Sequence, residues 1–215
     1  LYELEESTEN TIRIASTFVD QAASSNMMLN NITLSNGTTR NNYHVDLNGE
    51  GAETNLYGMA ISDRNQQVDN YSVINHNVAH CRSNELLKYV LDEEAIGVFS
   101  GKINVVQDAQ KTEAYQNNRN LLNGNLCRMY SKPQLEIYAD DVKCSHGMTT
   151  GQLDENALFY MRSRGIQEKE ARILLRFAFT DDVIKGIRLD SLQDRLRLLI
   201  EKRFRGEPLK CQGCL

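Results

Sequence analysis

Residues 43–62 read YHVDLNGEGAETNLYGMAIS. Two short pieces, YHVDLNG and NLYGMAIS, alternate apolar with polar side chains, and the glycine-bearing corner DLNGEG stands between them. Alternation over four to six residues is the period-two signature of a strand with one face buried. The same texture extends from about residue 11 to 146, in TIRIAS, NITLSN, YSVINH, GVFSGKINVV and PQLEIYADDVK. Asn and Gly dominate the connections (LSNGTTRNN, QNNRNLLNGN), where they supply left-handed backbone at tight corners. The piece SNELLKYVLDEE, residues 83–94, fits either a helical turn or a strand with a corner. Short strands without a hairpin dipeptide at every turn leave two architectures, a sandwich or a solenoid of parallel strands. Recurrence about every ten residues, as if two or three pieces made one coil, favours the solenoid, and Asn-rich corners suit coils whose amides pair along the axis.

The texture changes near residue 154. DENALFYMRSRG opens on acidic residues and closes on Gly165, as a short helix with a glycine cap does. QEKEARILLRFAF places Ala171, Leu174, Leu175 and Ala178 on one helical stripe. In DSLQDRLRLLIEKRFRG, Ser191 is the expected N-cap, Leu192, Leu196 and Leu199 share a face, and Lys202, Arg203 and Arg205 precede Gly206. Three or four amphipathic helices therefore follow the strands. They are too small to hold much core alone and are expected to dock on the solenoid's end or to present a face to a partner. The expected division is a β domain over 1–150 and a helical domain over 151–215.

A chain of 215 residues can bury a real core. Its net charge of −5 argues against nucleic-acid or anionic-membrane partners. No apolar run approaches the roughly 18 residues a membrane helix needs. The five cysteines, an odd number, fit free thiols in a reducing cytosol better than a disulfide framework. The opening LYELEEST lacks an initiator Met and a signal pattern, which points to a fragment or processed form.

Four longer stretches carry a resemblance. They are RNNYHVDLNGEGAETNLYG, HCRSNELLKYVLDEEAIGVFSGKINVVQDAQKTEAYQNNRNLL, SKPQLEIYADDVKCSHGMTTGQLDENALFYMRSRGI and EARILLRFAF. In this order, over residues 39–180, they resemble the SufB/SufD family of iron–sulfur cluster assembly scaffolds, on its SufD branch. The resemblance implies a mostly β fold, a right-handed parallel β-helix followed by a C-terminal α-helical domain, without the family's N-terminal helical region. It further implies a cytoplasmic, non-enzymatic subunit that pairs with a SufB-like subunit through the β-helix and docks a SufC-like ATPase through the helices. A transient iron–sulfur cluster would be shared with the partner subunit, and none is expected on this chain alone. The family's interface histidine matches His146, and the motif's cysteine matches Cys144. Met148 replaces the usual small residue after CSHG. The likeness of EARILLRFAF assigns ATPase docking to the helix around Arg172, Leu175, Arg176 and Phe179.

The residues themselves leave DDVKCSHGMTTGQ open. Positions i and i+2 of a strand face one way, so Cys144 and His146 could address one metal, and thiolate and imidazole suit iron–sulfur centres and zinc. Two ligands do not close a site, so the remainder would come from a partner. Equally, Val142 shares the parity of Cys144 and would draw that thiol into the core. The resemblance favours the ligand role for His146 and leaves Cys144 balanced.

His76, His80 and Cys81 in INHNVAHC bracket a strand and a corner, with the two imidazoles about 13 Å apart if extended, and read as core and turn. Cys127 reads as buried, and Cys211 and Cys214 as a tail with a weak C-x-x-C signal. Asp140 and Asp141, near Glu136, read as a solvated corner. DLNGEG is no phosphate loop. Beside the scaffold stand two further functions. One is a purely structural subunit that closes the seam. The other is a carbohydrate-active β-helix enzyme, which the lack of Trp, of a carboxylate pair and of a secretion signal disfavours. An open strand edge predicts a homodimer for the chain alone.

Overall fold

The computed structural model describes residues 1–209, so Cys211 and Cys214 lie outside the described residues. The strands are β1 (Tyr2–Glu6), β2 (Ile12–Gln21), β3 (Asn26–Ser35), β4 (Thr38–Leu47), β5 (Glu53–Ser62) and β6 (Gln67–His76). They continue as β7 (Arg82–Leu91), β8 (Ile96–Val105), β9 (Glu113–Leu122), β10 (Arg128–Ile137) and β11 (Lys143–Gly151). Three helices follow, α1 (Glu155–Ser163), α2 (Glu168–Lys185) and α3 (Asp190–Arg205).

Odd strands form one sheet in the order β1-β3-β5-β7-β9-β11, and even strands form a second, β10-β8-β6-β4-β2. Every pairing is parallel, each strand lying on the one two places earlier, as with Thr38 on Gln67 and Gln67 on Ile96. This is a solenoid with two strands per coil, and the sandwich is excluded. SNELLKYVLDEE is strand β7 followed by a corner, not a helical turn.

The strands are longer than the alternation suggested, and the reason is physical. In the even sheet, β6 and β8 alternate half-buried and buried positions along their whole length. In the odd sheet, β5 and β7 alternate over their first halves, but Gly58–Ser62 and Leu87–Leu91 are buried throughout. Those halves lie under α2 and α3. Ile32, Leu34, Met59, Ile61, Val90 and Leu121 project outward and share a core with Val183, Ile184, Ile187, Leu196, Leu199 and Ile200. A strand buried on both faces loses its period-two signal. The helices thus cover the flank of the odd sheet rather than the solenoid's end. Burying a side chain of this size contributes about 1.5–3 kcal/mol.

The corners correct another expectation. Left-handed backbone falls not on Asn but on Ser24, Arg64, His80, Glu93 and Lys111, with Gly51 the glycine among them. Each such residue costs about 1–3 kcal/mol when unsupported. Stacking supports them: Ser24 N donates to Glu50 O, His80 N to Gln110 O and Lys111 N to Asp141 O, each on the next coil. Asparagines instead form the expected axial amide file, Asn77 Nδ2 donating to Asn48 Oδ1 and Asn48 Nδ2 to Asp20. Gly49 is required by the stacking itself, because a Cβ there would lie 1.9 Å from Ala23 N.

Helix termini follow chemistry in part. Asp154 caps α1 by accepting from Asn156 N and Ala157 N, and Gly165 and Gly206 take the left-handed closing position. Ser191 is not the N-cap of α3: Leu189 occupies that position without a side-chain bond. The buried stripe of α2 is Ala171, Ile173, Thr180, Val183 and Ile184, while Leu174 and Ala178 are exposed. Lys88 of β7, buried beneath α2, donates to Phe179 O at 2.6 Å and to Asp182 at 2.7 Å.

Candidate ligand site on the terminal strand

β11 closes the odd sheet. It pairs with β9 alone, so among the described residues its other edge carries no strand. Register places Cys144 on Ala114, His146 on Gln116, Met148 on Asn118 and Thr150 on Asn120. The β9 members of these pairs are all buried, which makes this the inward face of the solenoid. One coil earlier such positions are roofed by the next strand pair. On the last coil nothing described roofs them, and His146 is exposed although its parity points inward.

Cys144 and His146 share a face but not an environment. Cys144 is half-buried and, like Val142 and Leu135, packs against the core cluster that includes Ala114. Burial pushes its thiol above the usual value, partly offset by a backbone hydrogen bond at Ala114. A thiolate is the metal-binding form, so the free chain disfavours Cys144 as a ligand until its surroundings change. Among the described residues no three His, Cys, Asp or Glu side chains gather to hold a metal ion. This pair therefore has no completing ligand among the described residues.

The other histidines and cysteines fall in core and corner positions. His76 is fully buried, its Nε2 2.8 Å from Ser83 Oγ, and burial lowers its pKa to about 4. His80 sits at a left-handed corner, 3.7 Å from Glu50. Cys81 and Cys127 are buried. Glu136 pairs with Lys102 at 2.6 Å and Asp141 with Lys111, so these carboxylates serve the surface.

On the helices, Arg172 is partly exposed and holds Glu168 at 2.9 Å. Leu175 and Phe179 pack against the core shared with the solenoid. Arg176 lies 3.5 Å from Asp92 and is desolvated, which lowers its pKa. Of these four, Arg172 alone forms its ion pair within α2; the others lean on the strands. Apolar exposure lies instead at Phe159 and Tyr160, which the amphipathic reading passed over, and at Leu174, which that reading placed on the stripe of α2. Tyr160 and Phe159 follow α1's acidic start directly, and only the orientation of α1 decides their exposure. A cavity of about 560 Å³ lies far from β11, between the corners at Asp63 and Asp92 and the end of α3. It mixes both signs of charge and belongs to the seam between helices and coils.

Glu85 and Gln116 were also missed, because polar residues inside a strand pattern read as solvent-facing. Both are fully buried, and Gln116 Nε2 donates to Glu85 Oε2 at 2.7 Å. Desolvation raises Glu85 to about 7.

Residues 1–179 match the family model described as SUF system FeS cluster assembly, SufBD core domain. The chain is 38% identical over 173 residues to the iron–sulfur cluster assembly protein SufD of Escherichia coli, covering 80% of this chain and 41% of that protein. It is 40% identical over 194 residues to an iron–sulfur cluster assembly SufBD family protein of Synechocystis, 90% of this chain and 43% of the relative. A SufBD family protein of Mycobacterium leprae is 33% identical over 178 residues, with 79% and 45% covered. The chain spans less than half the length of these curated relatives. It belongs to the SufBD family of iron–sulfur cluster assembly proteins.

Proposed function

We propose, from that membership, that this chain is a non-catalytic scaffold subunit whose last coil pairs with a SufB-like partner and offers His146 to a nascent iron–sulfur cluster at the seam. The placement of His146 carries the reading: an exposed imidazole on an unpaired edge strand, beside one thiol and short of a full ligand set. A strand edge with free N–H and C=O groups is a template for a second chain. A partner edge laid along β11 would bring the missing ligands, and the cluster is cargo held in transit between the two chains. Cys144 joins only if pairing alters the surroundings that hold its thiol protonated.

The helices take the second role, docking a SufC-like ATPase. Their exposed apolar side chains Phe159, Tyr160 and Leu174, with Arg172 beside them in sequence, support a partner face. Because α2 shares its core with the odd sheet, a pull on the helices is transmitted to the strands. Closure of two ATPase subunits would strain the seam and open His146 to iron and sulfide, a two-state coupling. No helix among the described residues is long and apolar enough to cross a membrane. The reading places the protein in a reducing cytoplasm, and the free edge makes it a homodimer when purified alone.

The test is anaerobic cluster reconstitution with SufB-like and SufC-like partners, followed by visible absorbance. Loss of most of the cluster signal in His146→Ala is expected. An undiminished signal assigns the chain a purely structural part. A SufC-like ATPase that co-purifies with a chain ending near residue 150 sinks the docking role of the helices.

A further inference from the structure

One inward column of the odd sheet runs Leu29, Leu56, Glu85, Gln116, His146, one residue per coil in register. We infer that Gln116 is the positioning residue for His146: anchored from below by Glu85, it presents its amide oxygen upward as the acceptor for an imidazole N–H. The inference rests on the ligand reading of His146 for its purpose, not for its geometry.

Three observations carry it. First, the Gln116 amide is tied at one end, since Nε2 donates to Glu85 Oε2 at 2.7 Å. That bond turns the amide nitrogen toward Glu85 and leaves its oxygen directed away. Second, that oxygen, Oε1, is buried and has no partner among the described residues. A buried acceptor left unpaired carries its full desolvation penalty, so a donor within reach is drawn to it. The register neighbour on the open side is His146, and adjacent strands lie about 4.8 Å apart. Third, the opposite wall is cut back to make room. A Cβ at Gly101 of β8 would lie 2.4 Å from Gln116 Nε2. The column facing Glu85 and Gln116 thus carries Ser72 and Gly101, with Pro133 next in register on the last coil.

A ligating histidine commonly donates its second ring N–H to such an acceptor, which sets the tautomer and leaves the other nitrogen's lone pair for the metal. Gln116 would do this for His146 before any partner arrives.

The test reads ring ¹⁵N chemical shifts of His146 in the full chain at pH 8, above the range in which an ordinary imidazole titrates. One dominant tautomer is expected in the wild type. Gln116→Met keeps length and loses the acceptor, and should return the ring to the mixture of a free histidine. The double exchange Glu85→Gln with Gln116→Glu rebuilds the pair in reverse and should restore the single tautomer. Identical His146 shifts in wild type and Gln116→Met overturn the inference, as does a freed ring in a folded double exchange. Cluster yield in the same variants separates the two readings. A tautomer that depends on Gln116 while yield is untouched keeps the positioning and removes the ligand role. A ring indifferent to Gln116 while His146→Ala abolishes yield does the reverse. Where both hold, Gln116→Met should weaken metal retention at the seam by about 10–100-fold.

Discussion

The column Leu29, Leu56, Glu85, Gln116, His146 changes character along the solenoid. Its first two members are fully buried leucines that contact other apolar side chains. Its next two are fully buried polar groups bonded to each other, and its last is an exposed imidazole. Backbone geometry is the same at every level, so chemistry alone distinguishes the two ends. The early coils use the column as core, where a side chain's size is what counts. The later coils spend stability on polar groups that the fold does not need, and a group kept against its desolvation cost points toward function. The neighbouring column offers a control. It runs Met27, Thr54, Ser83, Ala114, Cys144 and carries neither a carboxylate nor an imidazole at any level, which sets the column of His146 apart from it.

The sharpest break of this contrast is to place late-coil chemistry in an early coil. Leu56→Asp buries a carboxylate with no built partner and is expected to cost more than about 4 kcal/mol, enough to unfold a marginal chain. Urea denaturation followed by circular dichroism measures it. A cost below about 1 kcal/mol would mean the two ends are equally permissive. Leu56→Ala, which leaves only a cavity, should cost about 2–5 kcal/mol.

Next in size is a pH effect at Glu85. Its folded pKa of about 7 lies above the ordinary carboxyl value of 4.5, so the folded state binds the proton more tightly. The stability this contributes is full below pH 4.5 and is lost as pH rises through 7, on the order of 3 kcal/mol in all. His76 works oppositely, since its pKa near 4 gives stability that is present above 6.5 and lost as pH falls through 4. The difference between wild type and Glu85→Gln cancels the histidine. That difference should shift in the variant's favour by on the order of 3 kcal/mol between pH 4.5 and 7. A difference constant with pH would place Glu85 in a wetter setting than its burial indicates.

Much of this organisation was legible before any coordinates, and the exceptions share a cause. The even sheet, open on its outer face, alternates cleanly and its strands are readable from sequence. The odd sheet is covered, so Leu86, Leu87, Tyr89, Val90 and Leu91 run together and β7 looked ambiguous. The phase of α2 was misjudged because Thr180 is buried with its hydroxyl donating to Phe177 O, which a hydrophobic stripe does not register. Left-handed corners at Arg64 and Lys111 follow from stacking across coils, which no local propensity encodes. His146 and Cys144 stand out by motif as candidates. Glu85 and Gln116 were not, because their partnership spans 31 residues and exists only once β7 and β9 lie in register.

The smallest effects should come from the outer face over the same levels. Glu53, Arg82, Glu113 and Lys143 form a file across β5, β7, β9 and β11, with Lys143 donating to Glu113 at 3.0 Å and Arg82 3.4 Å away. The pairing draws Glu113 below the usual carboxylate range and raises Lys143, yet both are solvated. Exposed pairs of this kind are worth about 0.2–1 kcal/mol and fade with salt. Lys143→Ala should therefore lower the denaturation midpoint slightly in dilute buffer and leave it unchanged in 1 M salt. A persistent loss at high salt would show that Lys143 holds β11 by packing its stem. The terminal strand would then depend on its outer face as well as on the column beneath His146.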